Sequence, residues 1–593
     1  MFSPLRLAFC FALLSGLPTL AVPAFRAWAP TPPMGWNSWD NFGTAITEEQ
    51  TTQQAQFMAE KLKSHGWQYI VVDIQWYQPT AKGHGYRPGA ALTMDGYGRL
   101  LPAVNRFPST ANGAGFKPLA TRIHALGLKF GVHLMRGIPR QAVEQNVPIL
   151  GTSVHAQDIA NRASICPWNP DMYGVDTTKP GAQAYYDSVF ALLASWGVDF
   201  VKVDDISRPY AEHANEIDAI RRAIDRTGRA IVLSLSPGET PLSAAAHVRE
   251  HANMWRISDD FWDRWLSLHE QFARLEAWNQ YRAIGAWPDA DMLPLGVIDL
   301  NSRSTRFTPD EQRTLLTLWA VARSPLMHGG DLTQTDPATL ALLTNDEVLG
   351  VNQHSENNRV LFDRDDLAAW AADVPGSPDK YLALFNARDR VSLEPDQARF
   401  VSPVVTHDSK TAVPIDVAVS GGNKLFLVLE PTEDGSNGDT GLWRDARLVF
   451  ADGTEHTLDE LKWTHADALW DSTAVRKDKA GHYLGLAAQA ASVTEYALPP
   501  GATKFKAVAS LEGEAGAARP GSIRFLVVVG TPANESRAAG VRVSVDLRQL
   551  GFAGVVRVHD LWTDADLESA RGHFAPEIPY HGAGFYRLSP AGR

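Results

Sequence analysis

The stretch Asp199 to Asp205 reads DFVKVDD, an apolar, β-branched run that ends in a cation and two carboxylates. Successive side chains of a strand alternate faces, so Lys202 and Asp204 share one side of it. Acid-bearing strand ends are where barrel enzymes keep their chemistry. Two further acidic strand ends follow, Met254 to Asp260 (MWRISDD) and Ala286 to Leu293 (AWPDADML). Working outward, strand candidates end near Trp36, Ile74, His133, Asp204, Ser236, Asp260, Asp291 and His328. Helical segments lie between them, over Glu49 to His65, Pro118 to Leu126, Ala182 to Trp196, Ala211 to Arg226, Trp262 to Trp278 and Pro309 to Arg323. Eight alternations between Thr31 and Asn352 define an α/β fold, a closed (β/α)8 barrel. An open doubly wound sheet is the alternative, but it announces itself with a Gly-rich first turn, and no G-x-G-x-x-G follows the first strand.

The chain has 593 residues, 45% of them hydrophobic, with 18 Trp and a net charge of −12. That acidic balance excludes nucleic acid as a partner. Tryptophan faces suit pyranose rings, although most indoles fill core. Residues 1–29 read as a secretory signal peptide: Arg6, an apolar run from Leu7 to Leu14, Gly16 and Pro18, then small residues to Ala29. That run is too short to span a bilayer, so the expectation is a secreted or periplasmic protein without membrane insertion. Of the two cysteines, Cys10 lies in this leader, which leaves Cys166 without a partner and no cysteine metal site.

Beyond Asn352 the texture changes to alternating strands and turns, for example Lys380 to Ala387, Lys424 to Leu429, Ile523 to Val529 and Val541 to Val545. This half is all-β, and the family resemblance set out below implies its division: a catalytic barrel over 30–352, a C-terminal antiparallel β-sandwich over 353–403 and 534–593, and an inserted β jelly-roll module over 404–533. Turn-rich breaks at Glu433 to Gly441 and Gly513 to Gly521 lie within the insert. Surface loops tolerate such insertions. The insert's Leu461 to Trp470 weakly resembles a carbohydrate-binding module, with simple packing as the other reading.

The chemistry has to use carboxylates. There is no H-E-x-x-H, no phosphate-binding loop and no G-x-S-x-G elbow, so neither a metal nor another cofactor is expected. Retaining glycosidases work with two acids about 5 to 5.5 Å apart, one a nucleophile and the other a proton donor and acceptor. The Lys202 ammonium would keep Asp204 ionised, as a nucleophile requires. A buried structural ion pair is the plainer reading of that segment alone.

Seven motifs occur in order over the barrel: PMGWNSW (Pro33 to Trp39), VVDIQW (Val71 to Trp76), RFPS (Arg106 to Ser109), GLKFGVH (Gly127 to His133), WGVDFVKVDD (Trp196 to Asp205), WRISDD (Trp255 to Asp260) and WPDADML (Trp287 to Leu293). Together they resemble glycoside hydrolase family 27, the α-galactosidase and α-N-acetylgalactosaminidase family, in a divergent bacterial-type branch. The resemblance implies a retaining, exo-acting glycosidase with Asp204 as nucleophile and Asp260, rather than Asp259, as acid/base. It also implies sugar contacts by Trp39, Asp73, Lys202, Arg256 and Asp291.

The departures bear on specificity. Family α-galactosidases carry two consecutive acids on the second strand, whereas here Asp73 is followed by Ile74, so one carboxylate facing the C4 and C6 hydroxyls is missing. An apolar wall tolerates a sugar without the hydroxymethyl group, and β-L-arabinopyranose is α-D-galactopyranose without C6. Ser236 stands where galactosidases have a Glu that contacts the 2-hydroxyl, and Glu239 is a candidate substitute. His133 replaces the family's Tyr, and Ile206 the half-cystine that would pair with Cys166. The expected partner is a galactose- or arabinopyranose-containing oligo- or polysaccharide of plant type. Hydrolysis of terminal α-D-galactosyl residues is the first expectation, β-L-arabinopyranoside hydrolysis the second, and a non-catalytic carbohydrate-binding protein the remote third.

Overall fold

Eight parallel strands make one sheet: β1 (Met34–Asn37), β2 (Tyr69–Val72), β3 (Lys129–Met135), β4 (Phe200–Asp204), β5 (Val232–Leu235), β6 (Met254–Arg256), β7 (Trp287–Asp289) and β8 (Leu326–His328). They stand in the order β7-β6-β5-β4-β3-β2-β1-β8. A parallel bridge between Leu293, just past β7, and His328 joins the two edges, with Leu293 N donating to Met327 O at 2.8 Å. The computed structural model describes residues 23–591 except 407–412, 433–438, 469–471, 513–520 and 537. Among the described residues no helix is long and apolar enough to cross a membrane.

Each strand is followed by a helix: α1 (Glu48–Phe57), α2 (Lys117–Ala125), α3 (Ala182–Trp196), α4 (Tyr210–Arg226), α5 (Ala245–His251), α6 (Trp265–Asn279), α7 (Pro309–Ala322) and α8 (Asp346–His354). Local chemistry sets their ends. Thr47 and Gln50 form a reciprocal capping box at the start of α1, as do Thr308 and Glu311 at α7. Gly197, at φ 86°, closes α3 in the left-handed region that side chains avoid. The helix expected over Glu49 to His65 is α-helical only to Phe57 and continues to His65 as irregular turns.

Three strands stop short of the expected residues, at Val72, Arg256 and Asp289 instead of Ile74, Asp260 and Asp291. At two of these ends a carboxylate takes the backbone N–H that a ladder would have used. Asp73 Oδ1 accepts from Ile74 N at 2.9 Å and Asp289 Oδ1 from Asp291 N at 3.0 Å. The strand ends thereby become short acidic loops at the C-terminal mouth of the barrel.

The opposite mouth is plugged by Tyr69, Val71, Phe200, Val232, Met254, Trp287 and Met327. Gly35 permits this packing, because a Cβ there would come within 2.6 Å of Tyr69 Cβ. Ala24–Trp28 forms a short helical turn against this floor. Phe25 and Ala29 are buried, Trp287 Nε1 donates to Ala29 O at 2.9 Å, and the Arg221 guanidinium lies over Phe25. The last residues of the expected leader, 24–29, thus pack against the barrel floor. Residues 1–22, with Arg6, Cys10 and the apolar run, lie outside the described residues.

In the C-terminal half, strands Glu356–Arg364, Leu367–Asp373 and Lys380–Asn386 join Gly582–Pro590 and Val555–Asp560 in one antiparallel sheet. Its alternation is two-sided. Leu382 and Leu384 face a separate core with Val556, Val558 and Leu588, while Ala383 and Phe385 join the barrel core. Between these strands the chain builds two further six-stranded sheets from Phe400–Val401 to Ser522–Gly530 around their own core of Leu427, Trp443, Phe505 and Phe525. Of the insert's tryptophans, Trp443 is core and Trp463 is 37% exposed, while Trp470, like most of each turn-rich break, lies outside the described residues. This unit is bolted to the barrel through a buried pair, Arg264 Nε to Asp467 Oδ1 at 2.6 Å, and Asp467 Oδ2 also accepts from Leu266 N at 3.0 Å.

Candidate active site

The acidic mouth encloses a pocket of about 440 Å³ lined by Trp39, Asp73, Ile74, Lys202, Asp204, Arg256, Asp260 and Asp291, together with Asp40, Tyr86, Trp168, Trp262 and others. Every strand end from β1 to β7 except those of β3 and β5 places a polar side chain on its surface.

On the β2–β4 side, acids and cations interlock. Asp73 Oδ2 accepts from Asn37 Nδ2 at 2.7 Å and from Lys202 Nζ at 3.1 Å. Burial opposes its ionisation, but the Lys202 and His133 charges and the hydrogen bonds from Asn37 and Ile74 hold its carboxyl below the ordinary value. Asp204 Oδ2 accepts from His133 Nε2 at 3.0 Å, and its Oδ1 from Asp205 N at 2.8 Å. Against burial, the His133 hydrogen bond and charge, then Lys202, bring the Asp204 carboxyl down to about 2. Asp204 is an ionised, oriented carboxylate, the state in which it is nucleophilic. Lys202 is buried, yet Asp73, Asp204 and Asp291 hold its proton firmly.

On the β6–β7 side carboxyl groups outnumber cations. Arg256 reaches Asp291 Oδ2 at 2.7 Å and Asp260 Oδ1 at 3.3 Å. Burial raises the carboxyls of both Asp260 and Asp291 despite Arg256, and each also feels the other or a neighbouring acid, Asp259 for Asp260 and Asp289 for Asp291. Asp260 is 38% exposed, its carboxyl opening on the pocket. Its neighbour Asp259 also lines the pocket but pairs with the half-exposed Arg208 at 2.8 Å. The arrangement sets a carboxyl raised by burial in the same pocket as one held well down.

Three expected sugar contacts stand back from this surface. His133 is fully buried and touches Asp204, so it acts on the nucleophile instead of the substrate. Ser236 is buried, and its neighbour Pro237 lines the pocket instead of it. Glu239 points away, with its side chain 52% exposed and paired with Arg274 at 2.7 Å, so it does not replace the family's Glu. Ile74 does line the pocket, an apolar wall beside Asp73.

The rim was not anticipated. Trp39 stacks on Tyr86 with ring centres 6.1 Å apart, Tyr86 packs on Trp168, and His84 bridges Trp39 and Trp262. These aromatic faces suit the apolar side of a sugar ring. Asp40 is also new: it is 3% exposed, its Oδ2 has no hydrogen-bond partner, and burial followed by the Asp291 charge keeps it protonated. Its place immediately after Trp39, at the end of β1, was the available signal.

A carboxyl held low and a second one raised by burial, both facing one sugar-sized pocket at the C-terminal mouth of a barrel, suit a glycoside hydrolase. Family profiles described as "Alpha galactosidase A" and "Alpha galactosidase C-terminal beta sandwich domain" match residues 151–354 and 525–588, and one described as "NPCBM/NEW2 domain" matches 388–449. The α-galactosidase of Coffea arabica is 30% identical over 58% of this chain and 76% of its own length. Human α-galactosidase A is 27% identical over 59% and 72%. The crystal structure of a family 27 β-L-arabinopyranosidase from Geobacillus stearothermophilus is 40% identical, covers 96% of this chain and 99% of its own, and superposes with a TM-score of 0.69. The chain belongs to glycoside hydrolase family 27.

Proposed function

We propose that the enzyme is an exported, exo-acting retaining glycosidase whose preferred substrates are terminal β-L-arabinopyranosides, with α-D-galactopyranosides as slower alternatives. The observation that carries this reading is Ile74, an apolar residue in the pocket wall where the family resemblance expects a second acid. A hydroxymethyl group at C5 would find no polar partner there, and a sugar lacking it leaves no polar group unpaired. The near full-length likeness to a β-L-arabinopyranosidase supports the same ranking, which reverses the one expected from the sequence. The α-galactosidase relatives, 27 to 30% identical over the barrel region, favour retaining the galactoside as a second substrate.

In the proposed mechanism Asp204 attacks the anomeric carbon and Asp260 protonates the departing oxygen. Asp260 then draws a proton from water as the glycosyl ester is hydrolysed. Asp73, Lys202, Arg256 and Asp291 hold the ring hydroxyls, and Trp39 with Tyr86 walls the ring. Export rests on the leader-like composition of residues 1–22. The test is the ratio of kcat/KM for p-nitrophenyl β-L-arabinopyranoside and α-D-galactopyranoside. A ratio favouring the arabinopyranoside is expected, and a ratio favouring the galactoside overturns the assignment of Ile74.

A further inference from the structure

Away from the pocket, α4 and α5 bring two histidines and one aspartate together. His247 and His251 stand one turn apart on α5 in the pattern H-V-R-E-H, which puts both rings on one face of the helix. Asp218 comes from α4. Its Oδ1 lies 2.9 Å from His247 Nε2 and 3.1 Å from His251 Nε2. These short distances are not hydrogen bonds: Asp218 Oδ1 is shielded from water and accepts none of acceptable geometry.

The far sides of the rings explain why. His251 Nδ1 lies 2.7 Å from the His247 carbonyl oxygen. That oxygen only accepts, so Nδ1 carries the proton and, in the neutral ring, Nε2 turns a lone pair toward a carboxylate. His247 Nδ1 is engaged by the Tyr210 hydroxyl at 2.8 Å. The imidazoles are stacked, 4.2 Å apart and 18° from parallel. Asp218 Oδ1 and a ring nitrogen from each histidine thus gather in one place, with the outer nitrogens engaged as they are in metal sites, where the second nitrogen bonds to a carbonyl or another oxygen.

We propose that Asp218, His247 and His251 form a divalent metal site of the zinc type, which pins α5 to α4. Tetrahedral zinc with bonds near 2.0 to 2.2 Å separates its ligands by roughly 3.3 Å, so Asp218 Oδ1 already stands near the right distance from each Nε2, and the two imidazoles turn out of their stack to aim both rings at the ion. The side chains are 23 to 33% exposed, which leaves a fourth position for water. Neither helix contributes these residues to the catalytic pocket, so the ion's role is to fasten the two helices and it takes no part in glycoside cleavage.

The test uses the full chain, stripped with a chelator, in a His559→Asn background. That change removes the other place among the described residues where three such donors meet, Glu347, His559 and Asp564. Cobalt(II) is titrated and followed by its visible absorption, with zinc as competitor. One equivalent is expected to bind with a tetrahedral spectrum that zinc bleaches, and zinc is expected to raise the Tm. His251→Gln should weaken cobalt binding by at least about tenfold, with kcat on the nitrophenyl glycoside unchanged. Asp218→Asn, nearly isosteric and so safe for folding, should do the same. Absence of stoichiometric binding, or equal affinity in the parent and Asp218→Asn, would overturn the site.

Discussion

The two halves of the pocket solve opposite electrostatic problems with the same side chain. Around β2 to β4, Asp73 and Asp204 are surrounded by Lys202, His133 and convergent hydrogen-bond donors, so their ionised state survives burial. Around β6 and β7, Asp260, Asp289 and Asp291 share one guanidinium, and burial wins. Aspartate carboxyls are lowered on one side and raised on the other because of the ratio of cations to acids within reach, the difference that the proposed nucleophile and acid require.

The contrast can be broken from either side. Asp204→Asn removes the nucleophile and should lower kcat by about 10⁴-fold or more, measured on a nitrophenyl glycoside; turnover surviving that change would leave a non-catalytic barrel or another nucleophile. Asp260→Asn should cost about 10²- to 10⁴-fold on substrates with poor leaving groups. It should also flatten the basic limb of the pH profile. The sign follows from the state required: Asp260 must be protonated, so activity falls as pH rises through the elevated range of the Asp260 and Asp291 carboxyls. The acid limb belongs to Asp204, whose carboxyl titrates at about 2, and activity is lost as pH falls toward it.

Specificity should move less than turnover. Ile74→Asp restores an acid beside Asp73 and should shift the galactoside-to-arabinopyranoside ratio of kcat/KM by about tenfold or more toward the galactoside. His133→Gln sharpens the comparison most gently. It keeps a hydrogen-bond donor but removes the ring's charge from Asp204, so the acid limb should move to higher pH while kcat drops by about tenfold or less. An unchanged acid limb would show that Lys202 alone keeps the nucleophile ionised.

Much of this was legible in the chain because strands report their faces. The period-two alternation of DFVKVDD put Lys202 and Asp204 on the same side, and the pocket surface carries both. The acids at Asp73, Asp260 and Asp291 were visible as strand ends, even though the ladders stop one to four residues earlier. The rim was illegible, since His84, Tyr86 and Trp168 sit on long loops whose path is set by tertiary packing and leaves no periodic trace. The burial of His133 and Ser236 behind the pocket surface was hidden because a strand position fixes the face of a side chain but not whether a neighbour covers it. The turn at Ala24–Trp28 was hidden because small residues that suit a cleavage site also suit a packed floor.

The joint between Arg264 and Asp467 gives the insert a hold over chemistry it does not perform. Arg264 stands four residues beyond Asp260, at the start of α6, and its counter-charge comes from a unit with its own core. A gene that lost the insert would still encode every pocket residue. Its product would have the loop of the proton donor unmoored, with the Arg264 guanidinium and the Leu266 amide both missing their acceptor. Excision of the insert would therefore disturb a barrel loop that the insert itself does not build.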